Sequence, residues 1–176
     1  RYSQDSPNSI LNFPGMKKRT VILYTFSKKY AMTGWRIGAS IGPESLIKHM
    51  ARFNINDESC TNHFIQHALA SVLNESNDYG KEIIKRLIKR RDLCLKKLNS
   101  ISDLDIATPE STFYLFPNVS KIMLQKGYDN LEKFRIDVLK NTGVSFCTRE
   151  HFGTKYLNEE QQYIRLAYSG INRNKI

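Results

Sequence analysis

At 176 residues, with 40% hydrophobic and 25% charged side chains, the chain has the size and composition of one soluble globular domain or of two unequal pieces of a larger protein. No apolar run approaches the roughly 18 residues that cross a bilayer, and Arg1 to Pro7 show no charged leader before an apolar stretch, so neither a membrane span nor a secretory signal is expected. The net charge of +10 raises nucleic acid or an anionic surface as a partner, but eight basic residues against two acidic ones lie between Lys81 and Lys97, interleaved with Ile84, Leu87, Ile88, Cys94, Leu95 and Leu98 at helical spacing, which assigns that charge to a solvated helix face.

In chain order, Arg1 to Met16 is rich in Ser, Asn and Pro and contains Pro14-Gly15, the chemistry of irregular connecting chain already under way. Thr20 to Thr25 is a run of β-formers, and after the segment Ser27 to Arg36 a second run, Arg36 to Ile41, ends at Gly42-Pro43; the expectation is strand, loop, strand. Pro43 and Glu44 open a helix to about Phe53, since proline suits a first turn and an early carboxylate suits the helix dipole. Ser59 or Thr61 starts a second helix to about Asn74, and a third spans roughly Tyr79 to Ser100. Short elements follow: Asp105 to Ala107, Thr112 to Phe116, a helix near Leu131 to Asn141, Ser145 to Cys147, and Tyr163 to Tyr168. The pattern changes near residue 95, which is the expected domain boundary, and no internal repeat is present.

One segment carries chemistry. Thr25-Phe26-Ser27-Lys28-Lys29-Tyr30-Ala31-Met32-Thr33-Gly34-Trp35-Arg36-Ile37-Gly38 sets Lys28 near the hydroxyls of Thr25 and Ser27, with Gly34, Arg36 and Gly38 at fixed offsets. An amine that reacts with an aldehyde must be uncharged at neutral pH, which a lysine achieves through desolvation or a neighbouring cation. A phosphate is matched by a guanidinium and by hydroxyl donors, and Gly34 and Gly38 let the backbone turn and approach closely. Lys29 reads as a solvated neighbour.

The segment closely resembles the cofactor-lysine signature of class I and II aminotransferases of the aspartate aminotransferase superfamily, S-K-x-[YF]-x-[ML]-[TP]-G-[WF]-R-[IL]-G. Ser59-Cys60-Thr61-Asn62 with Gln66 and Ala68, Pro109 to Pro117, and Tyr163 to Ser169 resemble three further stretches of that family in the same order. The likeness runs from about Pro14 to Asn172 and covers about half of a complete enzyme. It implies an α/β fold: residues 1–95 as the C-terminal part of a pyridoxal-phosphate-dependent transferase large domain, a mixed sheet with helices, and residues 96–176 as the α+β C-terminal small domain.

The resemblance further implies that Lys28 carries pyridoxal 5'-phosphate as a Schiff base and is the catalytic base, that Arg36 holds the cofactor phosphate with Thr25 and Ser27 as hydroxyl partners, and that Arg165 grips the substrate α-carboxylate. Thr25 stands where the family usually has a small residue. Ser111 replaces a usual glycine, and Cys147 to Gly153 replaces a usual proline-glycine turn, a variant seen in one subgroup of aspartate aminotransferases; Arg149 or His151 either touches a side-chain carboxylate there or serves the surface. The family's phosphate turn, its ring-stacking aromatic and its Asn, Asp and Tyr ring contacts precede the matched region, so the chain is expected to be a fragment that does not turn over alone.

The implied activity is transfer of an amino group between an amino acid, aspartate or aromatic, and a 2-oxo acid, in a cytoplasmic homodimer with no nucleic-acid or membrane partner. Two alternatives stay open: another reaction of the same cofactor at the amino acid α- or β-carbon, such as a lyase, and a non-catalytic binding module that uses the basic helix. Cys60, Cys94 and Cys147 form no C-x-x-C pair and point to a reducing compartment, with Cys94 a small core residue. His63 and His67 are four apart without the H-E-x-x-H carboxylate, so no metal is expected. Asn74-Glu75-Ser76 and Asn118-Val119-Ser120 fit the glycosylation pattern but carry little weight without a secretory signal.

Overall fold

The computed structural model describes residue 2, residues 9–75 and residues 78–170. Most of Arg1 to Pro7, Ser76 of the Asn74-Glu75-Ser76 pattern and the stretch after residue 170 lie outside these. The chain divides into two compact units, Asp5–Ile83 and Ile84–Ile176, the latter joined by Arg1–Gln4.

In the N-terminal unit the expected strand, loop and strand form an antiparallel hairpin of β1 (Ile22–Thr25) and β2 (Gly38–Ile41), paired from Ile22↔Ile41 to Thr25↔Gly38. Helix α1 (Glu44–Asp57) follows Pro43, whose ring fixes φ at −56° for helix entry, and a Glu44–Lys48 ion pair spans its first turn at 2.6 Å. It runs past Phe53 without burying a residue. Helix α2 (His63–Asn74) begins where the Asn62 side chain accepts a hydrogen bond from the Phe64 N–H at 3.2 Å, and it buries Leu69. The core of this unit is Phe26, Ile37 and Leu69, with Tyr30, Met32, Ala39 and Ile65 packed around them.

Helix α3 (Gly80–Leu98) opens after Asp78, whose carboxylate accepts from the Gly80 N–H. Its later part belongs to the C-terminal unit because Leu87, Cys94, Leu95 and Leu98 pack with Leu115 and Tyr168. The division into units at Ile83 and Ile84 therefore precedes the change of pattern read at residue 95. Next come β3 (Tyr114–Leu115), α4 (Ser120–Gln125), α5 (Leu131–Thr142), β4 (Cys147–Thr148) and β5 (Ile164–Ala167), the strands forming an antiparallel sheet of order β3-β5-β4. Helix α5 is delimited at both ends by its sequence: the Asn130 side chain accepts from the Lys133 N–H at 2.9 Å, and Gly143 closes it at φ 74°, a left-handed conformation that glycine adopts without penalty.

A second core in this unit joins Val119, Met123, Leu131, Phe134, Phe146 and Ile164. The expected strand at Asp105 to Ala107 is reduced to a single bridge, Asp105↔Asn118, and the short helix α4 was not foreseen. The whole is a mixed helix and sheet, α/β structure, and among the described residues no helix is long and apolar enough to cross a membrane.

Candidate active site

The loop between β1 and β2 is pinned at both ends and in the middle. Phe26 and Ile37, 7% and 8% exposed, bury its two ends, while Tyr30 and Met32 pack on the same cluster beside Ile65 and Leu69 of α2. Inside the loop, the Met32 N–H donates to the Ser27 carbonyl at 2.9 Å and the Tyr30 N–H to the Phe26 carbonyl at 3.2 Å, which coils the chain around Lys28. Ala31 and Arg36 hold φ of 54° and 51°, the left-handed region that L-residues rarely adopt. Such strain persists only where surrounding packing over-determines it, and it clusters at ligand sites. Gly38 is required by close approach: a Cβ there would stand 2.9 Å from the Tyr24 carbonyl oxygen of the paired strand.

Four of the expected site residues share this hairpin. Thr25 ends β1 opposite Gly38, and its hydroxyl accepts from the Ser27 N–H at 3.2 Å. Ser27 is buried and Lys28 follows it at the exposed tip of the turn. Arg36 returns the chain to β2, exposed, its guanidinium donating to the Thr33 carbonyl at 3.1 Å. The amine, the guanidinium and the two hydroxyls are the donor set that an aldehyde bearing a phosphate requires, so these residues fit pyridoxal phosphate. Lys29 instead sets its ammonium 5.4 Å from the centre of the Tyr30 ring.

Arg165 stands in the C-terminal unit. It lies on β5 directly opposite Cys147 of β4, and its Nη2 donates to the Cys147 sulfur at 3.6 Å. The ring of Tyr114 lies 4.3 Å from its guanidinium carbon and that of Phe152 4.4 Å. Strand geometry explains the first contact. Tyr114 pairs with Ala167, two residues from Arg165 and so on the same face, where diagonal neighbours are within reach of long side chains. Phe152 is brought back by the 3₁₀ turn Arg149–Phe152, which follows β4 without a gap. Sequence spacing gave no sign of either ring, because both lie far from Arg165 along the chain.

Arg149 and His151, left open between substrate and surface, both have internal partners. Arg149 pairs with Glu159 at 2.9 Å and donates to the Gly153 and Thr154 carbonyls. The His151 Nδ1 meets the Thr148 hydroxyl at 2.7 Å and caps the turn. His63 and His67 contact one another at 3.2 Å, and among the described residues no group of three His, Cys, Asp or Glu could hold a metal. On the basic helix, Arg90 donates to the Ser169 carbonyl, and Arg91 lies 4.7 Å from the Tyr2 ring and donates to the Pro109 carbonyl, so both serve internal packing. Burial pushes the Cys94 thiol up, as suits an inert core residue.

The architecture is that of the aminotransferases. It superposes on the crystal structure of the aromatic aminotransferase from Pyrococcus horikoshii OT3 with a TM-score of 0.83 and 30% identity, over 97% of this chain and 43% of that one. On the aspartate aminotransferase from Rhizobium meliloti the TM-score is 0.76 and the identity 31%, over 93% and 40%. The chain belongs to the aminotransferase class I and II family, whose model matches residues 2–176. Among curated relatives, an aspartate aminotransferase of Rhizobium meliloti is 44% identical over 161 residues, 89% of this chain and 38% of the relative. Aromatic-amino-acid aminotransferase 2 of Thermococcus litoralis is 31% identical over 92% of this chain and 39% of its own length. The chain thus spans about two fifths of the length of these relatives.

Proposed function

We propose that the intact protein is a pyridoxal-phosphate-dependent aminotransferase that moves an amino group between an amino acid, aspartate or aromatic, and a 2-oxo acid. The observation that carries this reading is the β1–β2 hairpin, which bears an amine, a guanidinium and two hydroxyls on one loop fixed by its own core. Lys28 would hold the cofactor through its Nζ; Arg36, with Ser27 and Thr25, would hold the phosphate. When bound, pyridoxal phosphate supplies a conjugated ring that accepts the electron pair left at the amino acid α-carbon.

The remaining work belongs to side chains of this protein. Lys28 Nζ would take the proton from the substrate α-carbon. Arg165 receives the α-carboxylate through two parallel N–H bonds, which orients as well as binds. The substrate class follows relatives named as aspartate and aromatic aminotransferases. A homodimer in the cytoplasm is part of the same proposal, the latter supported by three cysteines that are all free thiols. We further propose that residues 1–95 form part of the large, cofactor-binding domain and residues 96–176 the small domain.

The test is product analysis on the intact protein supplied with pyridoxal phosphate, aspartate or phenylalanine, and 2-oxoglutarate. The reading expects glutamate to form in step with the new 2-oxo acid, by ping-pong kinetics and without ammonia. Ammonia release in step with turnover would replace transfer by elimination. No spectral or product change with any amino acid would leave only a binding role.

A further inference from the structure

Arg165 departs from an ordinary arginine in what surrounds it. A half-buried guanidinium normally meets a carboxylate, yet among the described residues no carboxylate forms an ion pair with Arg165. Arg149, four residues beyond Ser145 on the neighbouring chain segment, shows the ordinary case with Glu159. What Arg165 has instead is two aromatic rings, Tyr114 at 4.3 Å and Phe152 at 4.4 Å, and the Cys147 thiol at 3.6 Å, a weak acceptor. Aromatic rings attract the face of a guanidinium and leave its N–H edge, the part that makes bidentate bonds, to something else.

We propose that Tyr114 and Phe152 are positioning residues that hold the Arg165 guanidinium in a fixed plane, with Cys147 taking one N–H, so that its remaining donors meet a carboxylate already oriented. The proposal rests on the reading of Arg165 as the carboxylate receptor. The physical gain is pre-organisation: an arginine side chain has many rotamers to lose on binding, and contacts that remove them beforehand lower the cost of capture. The two rings differ in their supports. Tyr114 is set by the β3–β5 register, whereas Phe152 sits at 47% exposure on a short turn, so it can be altered with little disturbance to the core.

The experiment uses the intact protein loaded with pyridoxal phosphate, and measures KM and kcat for the amino acid and the 2-oxo acid together with calorimetric binding of succinate, a carboxylate with no group to transfer. Phe152→Leu is expected to raise KM and weaken succinate by about three- to tenfold, the size of a lost cation–aromatic contact, with kcat changed less than twofold. Phe152→Tyr is expected to restore both. Tyr114→Leu, with Tyr114→Phe as its rescue, is the second arm. On an Arg165→Ala background, Phe152→Leu is expected to add nothing further. If Arg165→Ala leaves KM and succinate binding unchanged, the receptor reading itself fails. If Arg165→Ala weakens both while Phe152→Leu and Tyr114→Leu match the parent, or weaken binding equally without Arg165, the receptor stands and the positioning role is overturned.

Discussion

The two units solve the same problem, holding one cationic side chain in place, by different means. In the C-terminal unit Arg165 lies on the central strand of a three-stranded sheet whose neighbours are buried almost completely: Leu115 and Val119 at 2% exposure, Tyr168 at 1%. In the N-terminal unit Lys28 rides a two-stranded hairpin, and Phe26, Ile37 and Leu69 are the buried cluster beneath it. That unit leaves Leu23, Ile41, Phe53, Ile55 and Phe64 exposed. A two-stranded hairpin is marginal by itself, so its stability rests on the packing of Phe26, Ile37 and Leu69. The arginine's setting is therefore built on a three-stranded sheet, while the lysine's setting depends on a small local cluster under a two-stranded hairpin.

The substitution with the largest expected effect is at the lysine. Lys28→Ala in the intact protein should lower turnover by about 10²- to 10⁴-fold, the range for loss of a proton-transferring group, while Lys29→Ala stays near the parent; steady-state assay of both variants checks this. The contrast in burial comes next. Phe134→Ala, which empties part of the C-terminal core, should cost about 3–5 kcal/mol in denaturant unfolding. Phe53→Ala, on an exposed face of α1, should stay within about 0.5 kcal/mol in this chain. Equal losses would erase the distinction between the units.

Arg36→Ala and Arg165→Ala separate the two sites by function. The first should weaken retention of pyridoxal phosphate in dialysis, and the second should spare it and raise KM, each by about 2–5 kcal/mol for loss of a charge-assisted pair. Equal loss of cofactor in both variants would contradict the assignment of roles.

The smallest effect is one of pH. Tyr168 hydrogen-bonds to Tyr2 at 2.6 Å and to the Thr112 carbonyl at 3.1 Å, and burial, reinforced by the Tyr2 bond, pushes its phenol far above the usual tyrosine range. Burial also raises Tyr2. A raised acid favours the folded state while neutral, so this contribution is complete below the unfolded value near pH 10 and is lost as pH rises beyond it. The urea midpoint should fall more steeply between pH 9 and 11 in the parent than in Tyr168→Phe.

Legibility in the sequence followed the range of the interactions concerned. The hairpin around Lys28 was readable because its signals are local: a run of β-formers before it, glycines at fixed offsets and Gly42-Pro43 after β2. Helices α2, α3 and α5 were readable from caps and apolar spacing within a few residues of their observed ends. Helix α4 escaped because six residues make under two turns; its start is set by the Asn118 side chain, which accepts from the Ser120 N–H at 3.0 Å. Asp105 to Ala107 has only one bridging partner, and its Asp and Ala are poor strand formers. Tyr114, Cys147 and Phe152 around Arg165 were illegible for a further reason, since strand register and one short turn bring them together.

The central claim is that Lys28, within its hairpin, is the lysine that carries the cofactor. Borohydride reduction of the intact protein with pyridoxal phosphate, followed by peptide mapping, tests it directly. The account predicts a single stable adduct on the Nζ of Lys28, absent from Lys28→Ala. An adduct on Lys29, one spread over the basic face of α3, or none at all would contradict it.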